Sequence, residues 1–283
     1  MSSAGPAPAT ILVPLQRTTV RGRKSLGQHF LRDRGALSAI VDALDLAPAD
    51  RVLEIGPGTG VLTHALAGRT SQVVAVELDG RLASDLRDAF AAEPSVEILQ
   101  GNALDIDPCT IFDGAYKLAG NLPYYITGLL LRHYLEMVCK PSVAVFMVQF
   151  EVAQRMTAKP GSMSMLSVAT QFYADVSIVR RVPAGAFSPK PKVDSAIVKL
   201  LPRPEPSHPV PDENTFFRGV RAGFGGRRKQ LVNSLATGLG ISKGDAAGLL
   251  AAAEIRPTDR PQNLGVRDWS RLALALAAHD AQG

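Results

Sequence analysis

The feature that most constrains this chain is a series of short apolar runs, each closed by an unusual polar or glycine residue and followed by a helical pattern. Arg51-Val-Leu-Glu-Ile55, Val73 to Val76, Val96 to Leu99, Tyr116 to Ala119 and Val143 to Val148 read as strands without polar alternation. Helical spacing precedes and separates them: Leu37, Ile40, Val41, Leu44 and Leu46, closed by Pro48, then Val61 to Ala67, Arg81 to Phe90 and Leu129 to Val138. Strands with no polar face, spaced by helices, imply an α/β fold with a doubly wound parallel sheet covered on both sides.

The pattern then changes. Ser167 to Ser177 and Val193 to Leu201 are predicted as antiparallel strands, with Pro183, Pro189 and Pro191 between them. Pro202 to Pro211 carries five prolines in ten positions, the composition of a linker. Beyond it, Phe216 to Phe224, Arg227 to Leu235, Ala246 to Ala253 and Trp269 to Ala278 are predicted helices. The expected organisation is a flexible tail over 1–20, an α/β domain over 21–202, a Pro-rich linker over 203–211 and a helical domain over 212–283.

Composition narrows the function classes. With 46% apolar and 20% charged residues the chain is an ordinary globular protein. Its longest apolar run, Leu272 to Ala278, is far below the ~18 residues of a membrane span. The start, Met-Ser-Ser-Ala-Gly, has no basic leader, so no secretion signal is expected. Cys109 and Cys139 are the only cysteines and form no CxxC, which predicts neither a disulfide framework nor a zinc site, and a reducing cytoplasm. The net charge of +5 is focused: residues 1–34 and 180–203 each carry +5, and Arg227, Arg228 and Lys229 form a third cluster at the start of a predicted helix. Such focusing suits a phosphate-backbone partner, and leaves open a merely solubilising surface.

The strand ends carry the chemistry, because ligands of a doubly wound sheet sit outside its carboxyl edge. Gly56, Glu77, Asn102 and Asn121 all fall there. Glu54-Ile-Gly-Pro-Gly-Thr-Gly60 is a glycine loop whose backbone can approach a ligand closely. Its spacing is GxGxG, with Val61 where the dinucleotide fingerprint needs a third glycine, so a pyrophosphate clamp is not favoured. Glu77 can accept from two ribose hydroxyls. Loop and acid together indicate an adenosine-containing cofactor, S-adenosylmethionine or a nicotinamide dinucleotide. Asn121-Leu-Pro-Tyr124 decides for the former. The Asn side-chain oxygen and a neighbouring carbonyl can accept both protons of an adenine amine, and Tyr124 offers a stacking face for an extruded base.

These stretches, with Ser25-Leu-Gly-Gln-His-Phe-Leu31, Val76-Glu-Leu-Asp79, Gly101-Asn-Ala-Leu104 and Phe187-Ser-Pro-Lys-Pro-Lys-Val-Asp-Ser195, resemble the ribosomal RNA small-subunit adenine dimethyltransferase family, the KsgA type, from Lys24 onward. Phe217, Arg221, Phe224, Arg227, Arg228, Lys229 and Leu231 resemble its helical C-terminal domain. The resemblance implies a Rossmann-like S-adenosylmethionine-dependent methyltransferase sheet with a small all-helical domain for rRNA recognition. It implies dimethylation of two adjacent adenosines in the 3′-terminal hairpin loop of 16S rRNA, on the immature 30S subunit. Separately, a cytoplasmic monomer with no membrane partner and no metal is expected.

Carried over by residue, His29 and Leu31 close over the cofactor, Gly56 and Gly58 approach its amino-acid end, Glu77 holds the ribose and Asn102 contacts the adenine. Asn121, Leu122, Pro123 and Tyr124 form the catalytic loop, with Asn121 facing both methyl donor and target amine. Tyr124 and Phe187 are the expected stacking pair, and Arg227, Arg228 and Lys229 the RNA contacts. The family often has Asn at the place of His29 and Asp at that of Asn102, and a neutral amide is the weaker acceptor for the cofactor's own amine. The related erythromycin-resistance methylases of the large subunit share the QxFL, glycine-loop and NLPY elements. Alternative readings are that large-subunit activity, an RNA-binding assembly factor with secondary catalysis and, more distantly, a nicotinamide oxidoreductase.

Overall fold

The structure is a computed structural model and describes residues 29–122, 127–226 and 228–281. The predicted tail 1–20 lies outside them. In chain order the first half contains β1 (Phe30–Leu31), α1 (Arg34–Leu44), β2 (Arg51–Ile55), α2 (Val61–Leu66), β3 (Gln72–Glu77), α3 (Gly80–Ala89), β4 (Val96–Gln100), α4 (Pro108–Ile111), β5 (Lys117–Asn121) and α5 (Thr127–Glu136). The second half contains β6 (Val143–Gln149), α6 (Phe150–Met156), α7 (Met165–Tyr173), β7 (Ala174–Val182), β8 (Phe187–Ser188) and β9 (Ser195–Pro202). Four helices follow: α8 (Glu213–Phe224), α9 (Leu231–Leu239), α10 (Lys243–Ala252) and α11 (Val266–Asp280).

Seven strands form one sheet in the order β4-β3-β2-β5-β6-β9-β7. The first five are parallel and the last two antiparallel, as their sequence patterns predict. The order reverses between β2 and β5, which is where an open α/β sheet leaves a crevice for ligand. Gly120 makes that junction tight, since a Cβ there would lie 2.6 Å from the Ile55 carbonyl oxygen. A second, two-stranded pairing ties β1 to β8, Phe30 to Ser188 and Leu31 to Phe187, across more than half the chain.

Two expectations are corrected. Ser167 to Tyr173 belongs to α7 rather than a strand, and only from Ala174 does the chain become extended. Ser164 and Ser167 form a reciprocal capping box, and Val168 and Phe172, one helical turn apart, both go into the core. Cys109 and Cys139, expected as free thiols, form a disulfide with Cα atoms 5.7 Å apart. Their 30-residue separation spans β5 and α5, so no local spacing announces that the fold brings α4 against the end of α5.

The apolar core runs from the sheet into the helical segment without a break. Phe172 stacks on Phe216 at 4.2 Å between centroids and meets Phe217 edge-on, while the Tyr173 hydroxyl donates to Glu213 at 2.7 Å. On the opposite face of the sheet, α1 and α2 bury Ile40, Leu44 and Leu66 against Val52, Val73 and Val145. Among the described residues no helix is long and apolar enough to cross a membrane, and no group of three His, Cys, Asp or Glu could hold a metal.

Candidate active site and its relatives

The glycine loop leaves β2 at the reversal point. Gly56, Gly58 and Gly60 have φ of +67°, +61° and +78°, left-handed values that a side chain would strain. The Gly56 amide donates to Val76 at 3.0 Å, which fastens the loop to β3. Glu77 ends β3 with its carboxylate buried. One oxygen accepts from the Gly58 amide at 3.1 Å and the other from the Asp79 amide at 2.9 Å. Burial pushes this carboxyl above the ordinary range against those hydrogen bonds. A carboxylate has about four acceptor positions, more than these amides fill, so the predicted ribose acceptor is also the clamp that shapes the glycine loop.

Glu54, two residues before the glycine loop, has a structural role that its place in the motif does not reveal. It is buried inside β2 and accepts from the Thr63 hydroxyl at 2.7 Å, which seats α2 behind the loop. Burial raises its carboxyl to about 8, so at neutral pH it is largely the acid. The signal for this was present: an acidic residue within an otherwise apolar strand needs a partner.

Asn121, the last residue of β5, comes beside the loop, its backbone oxygen 3.7 Å from where a Gly56 Cβ would stand. Its side-chain amide nitrogen donates to the His29 carbonyl at 2.9 Å. That bond orients the group, because only the nitrogen end can face a carbonyl, and leaves the side-chain oxygen as an acceptor. His29 is itself fixed by Nδ1, which donates to the Pro189 carbonyl at 2.8 Å. The adjoining Phe30 ring passes 3.1 Å from where a Gly58 Cβ would stand, a closure that only glycine permits and that the sequence reading missed. A large aromatic between His29 and Leu31 was its only trace.

The other predicted residues divide. Asn102 lies at the end of the next strand loop, where its side-chain oxygen accepts from the Leu104 amide at 3.1 Å and its NH₂ remains as donor. Leu122 is buried, and its amide donates to Met147 at 3.2 Å, so it extends the β5–β6 pairing. Leu31 and Phe187 are both buried in the β1–β8 pairing, Phe187 only 4% exposed. Pro123, Tyr124 and Arg227 lie outside the described residues. Arg228 and Lys229 are exposed but not helical: they occupy the turn before α9, which starts at Leu231, a correction of the helix predicted from Arg227.

A reversal-point glycine loop, a buried acid closing β3 and an Asn closing β5 thus gather beside the β1–β8 strand pair, at the edge where an open α/β sheet takes its ligands. Residues 19–276 match the family described as Ribosomal RNA adenine dimethylase, and the chain belongs to that family. It is 48% identical over 259 residues to the "Ribosomal RNA small subunit methyltransferase A" of Dehalococcoides mccartyi, spanning 90% of this chain and 89% of the relative. Among solved structures, a dimethyladenosine transferase from Plasmodium falciparum superposes with a TM-score of 0.77 at 26% identity, covering 89% of this chain and 98% of its own. The 23S rRNA methyltransferase ErmE superposes with a TM-score of 0.71 at 31% identity, covering 88% and 99%. The chain is therefore an rRNA adenine methyltransferase with a Rossmann-like sheet.

Proposed function

We propose that this protein transfers methyl groups from S-adenosylmethionine to the exocyclic amines of two adjacent adenosines in the 3′-terminal hairpin loop of 16S rRNA, on the immature 30S subunit. The observation that carries the reading is Asn121 at the sheet reversal, its side-chain nitrogen committed to the His29 carbonyl so that its side-chain oxygen is the group turned to acceptance. The cradle fits the cofactor: three left-handed glycines leave space where side chains would intrude, and Glu77 retains acceptor capacity beside them. Gly56 and Gly58 would border its amino-acid end, Glu77 its ribose and Asn102 its adenine. When bound, the cofactor supplies a methyl group activated by a sulfonium.

The protein's own part is positioning. Accepting the amine protons at the Asn121 oxygen turns the adenine nitrogen toward a tetrahedral, nucleophilic geometry, an interaction that strengthens toward the transition state. Tyr124 is assigned to stacking of the extruded base, and Phe187, buried in the β1–β8 pairing, is left out of that role. The β1–β8 pairing, whose Phe30 ring lies against Gly58, is assigned to closing over the cradle. The helical segment 212–283 is assigned to rRNA recognition, with Arg227, Arg228 and Lys229 as phosphate contacts and 203–211 as the linker. The reading includes a monomer acting in the cytoplasm.

The likeness to ErmE favours a second reading, methylation of large-subunit rRNA. Tritiated S-adenosylmethionine offered to isolated unmethylated small and large subunits, followed by mapping of the labelled nucleotide, separates the two. The expected result is label on two neighbouring adenosines of the small subunit; label on one large-subunit adenosine would replace the proposal.

A further inference from the structure

We infer that the cleft between α8 and α9 is a seat for one backbone phosphate of the RNA substrate, an inference that rests on the rRNA-directed activity proposed above. The cavity measures about 270 Å³ and is lined by Arg218, Arg221, Lys229, Ser234 and Thr237 with three glycines. That is below the ~300–1,000 Å³ of sites that enclose a whole small molecule, and it suits a compact anion. The glycines make the cleft. A Cβ on Gly238 would lie 2.6 Å from the Ala222 Cα, so α8 and α9 touch there, and one on Gly226 would lie 2.6 Å from the Ser234 hydroxyl.

The lining contains no carboxylate. Arg218 is paired with Asp280 at the end of α11 and lies in the field of Asp212. Arg221 and Lys229 have no ion-pair partner among the described residues, and both are exposed. The Ser234 and Thr237 hydroxyls donate to the Gly226 and Asn233 carbonyls, so charge recognition falls to Arg221 and Lys229. Arg221 and Lys229 line the same cleft, and a cleft of this size seats one phosphate rather than two. Arg221 stands on α8, outside the Arg227–Lys229 run.

The test is the affinity of the full-length protein for unmethylated small subunits between 50 and 200 mM salt, with melting temperature and cofactor affinity as folding controls. Each phosphate contact contributes about 0.7–0.9 to the slope of log affinity against log salt. Arg221→Gln with Lys229→Gln should lower the slope by about one contact. Thr237→Leu, a charge-neutral change at an exposed helix position that fills the cleft, should weaken binding several-fold. Asp280→Asn should strengthen it by releasing Arg218. Exchanging chloride for phosphate at equal ionic strength should leave the difference between parent and Thr237→Leu intact; its loss would make free phosphate the occupant and overturn the RNA assignment. Parental affinity in Thr237→Leu, or a slope lowered by two contacts or by none, overturns the inference. A parent protein that fails to bind small subunits at all overturns the functional reading instead.

Discussion

Around the glycine loop, Glu54 and Glu77 are buried and hydrogen-bonded, whereas Arg221 and Lys229 between α8 and α9 stand in water without an ion-pair partner among the described residues. The first arrangement commits its polar groups before any ligand arrives, and so fixes geometry to fractions of an ångström. The second keeps its charges available, and acts through a field that salt screens. One region serves positioning and the other attraction, yet a continuous aromatic core joins the segments that carry them.

That joint gives the largest expected effect. Phe172→Ala removes a fully buried ring stacked on Phe216 and should cost about 3–5 kcal/mol in urea unfolding. A single transition displaced as a whole means the two regions share their stability. An early, separate melting of the helices would mark them as an independent domain and would sharpen the contrast drawn above.

The acidic side of the comparison is tested by pH. The Glu54 carboxyl rises from an ordinary 4.5 to about 8 on folding, through burial first. Between those values the folded chain holds a proton that the unfolded chain has released. The associated stability is therefore complete below about 4.5 and is lost as pH rises toward about 8, by up to ~1.4 kcal/mol per unit. Unfolding free energies at pH 5.5 and 7.5 should differ by roughly 2–3 kcal/mol on this account, and Glu54→Gln should remove most of the difference. Glu77, shifted in the same direction, leaves a residual slope. A parent protein equally stable at both pH values would show that Glu54 is not the buried acid described.

Smaller again is Glu77→Ala, which removes a charged acceptor and also frees the Gly58 and Asp79 amides. S-adenosylmethionine affinity should fall by about 1.5–3 kcal/mol in calorimetry. Glu77→Gln, able to accept but carrying no charge, should lie between the two. Equal affinity in all three would reduce Glu77 to a strand end.

The parallel strands and the polar residues at their ends were legible because doubly buried strands lack alternation, and because ligand chemistry gathers at their carboxyl edge. What escaped depends on pairings distant in sequence. β1 and β8 are two residues each, more than 150 positions apart, and no periodicity can announce them. The same pairing buries Phe187, which the motif alone suggested as an open stacking face. The Cys109–Cys139 bond and the clamp from Glu77 to the Gly58 amide are likewise products of the assembled fold. The α7 misreading is of another kind. The Ser164–Ser167 cap was present in the sequence, but an apparent alternation over 167–177 outweighed it.

The central claim is that Asn121, oriented by the His29 carbonyl, presents the oxygen that prepares the adenine amine. Single-turnover methylation of small subunits at saturating cofactor tests it most directly. Asn121→Ala should slow methyl transfer on the order of a hundredfold, about 3 kcal/mol, while cofactor and subunit affinities change little. A parental transfer rate in Asn121→Ala, or a loss appearing only in affinity, would contradict the account.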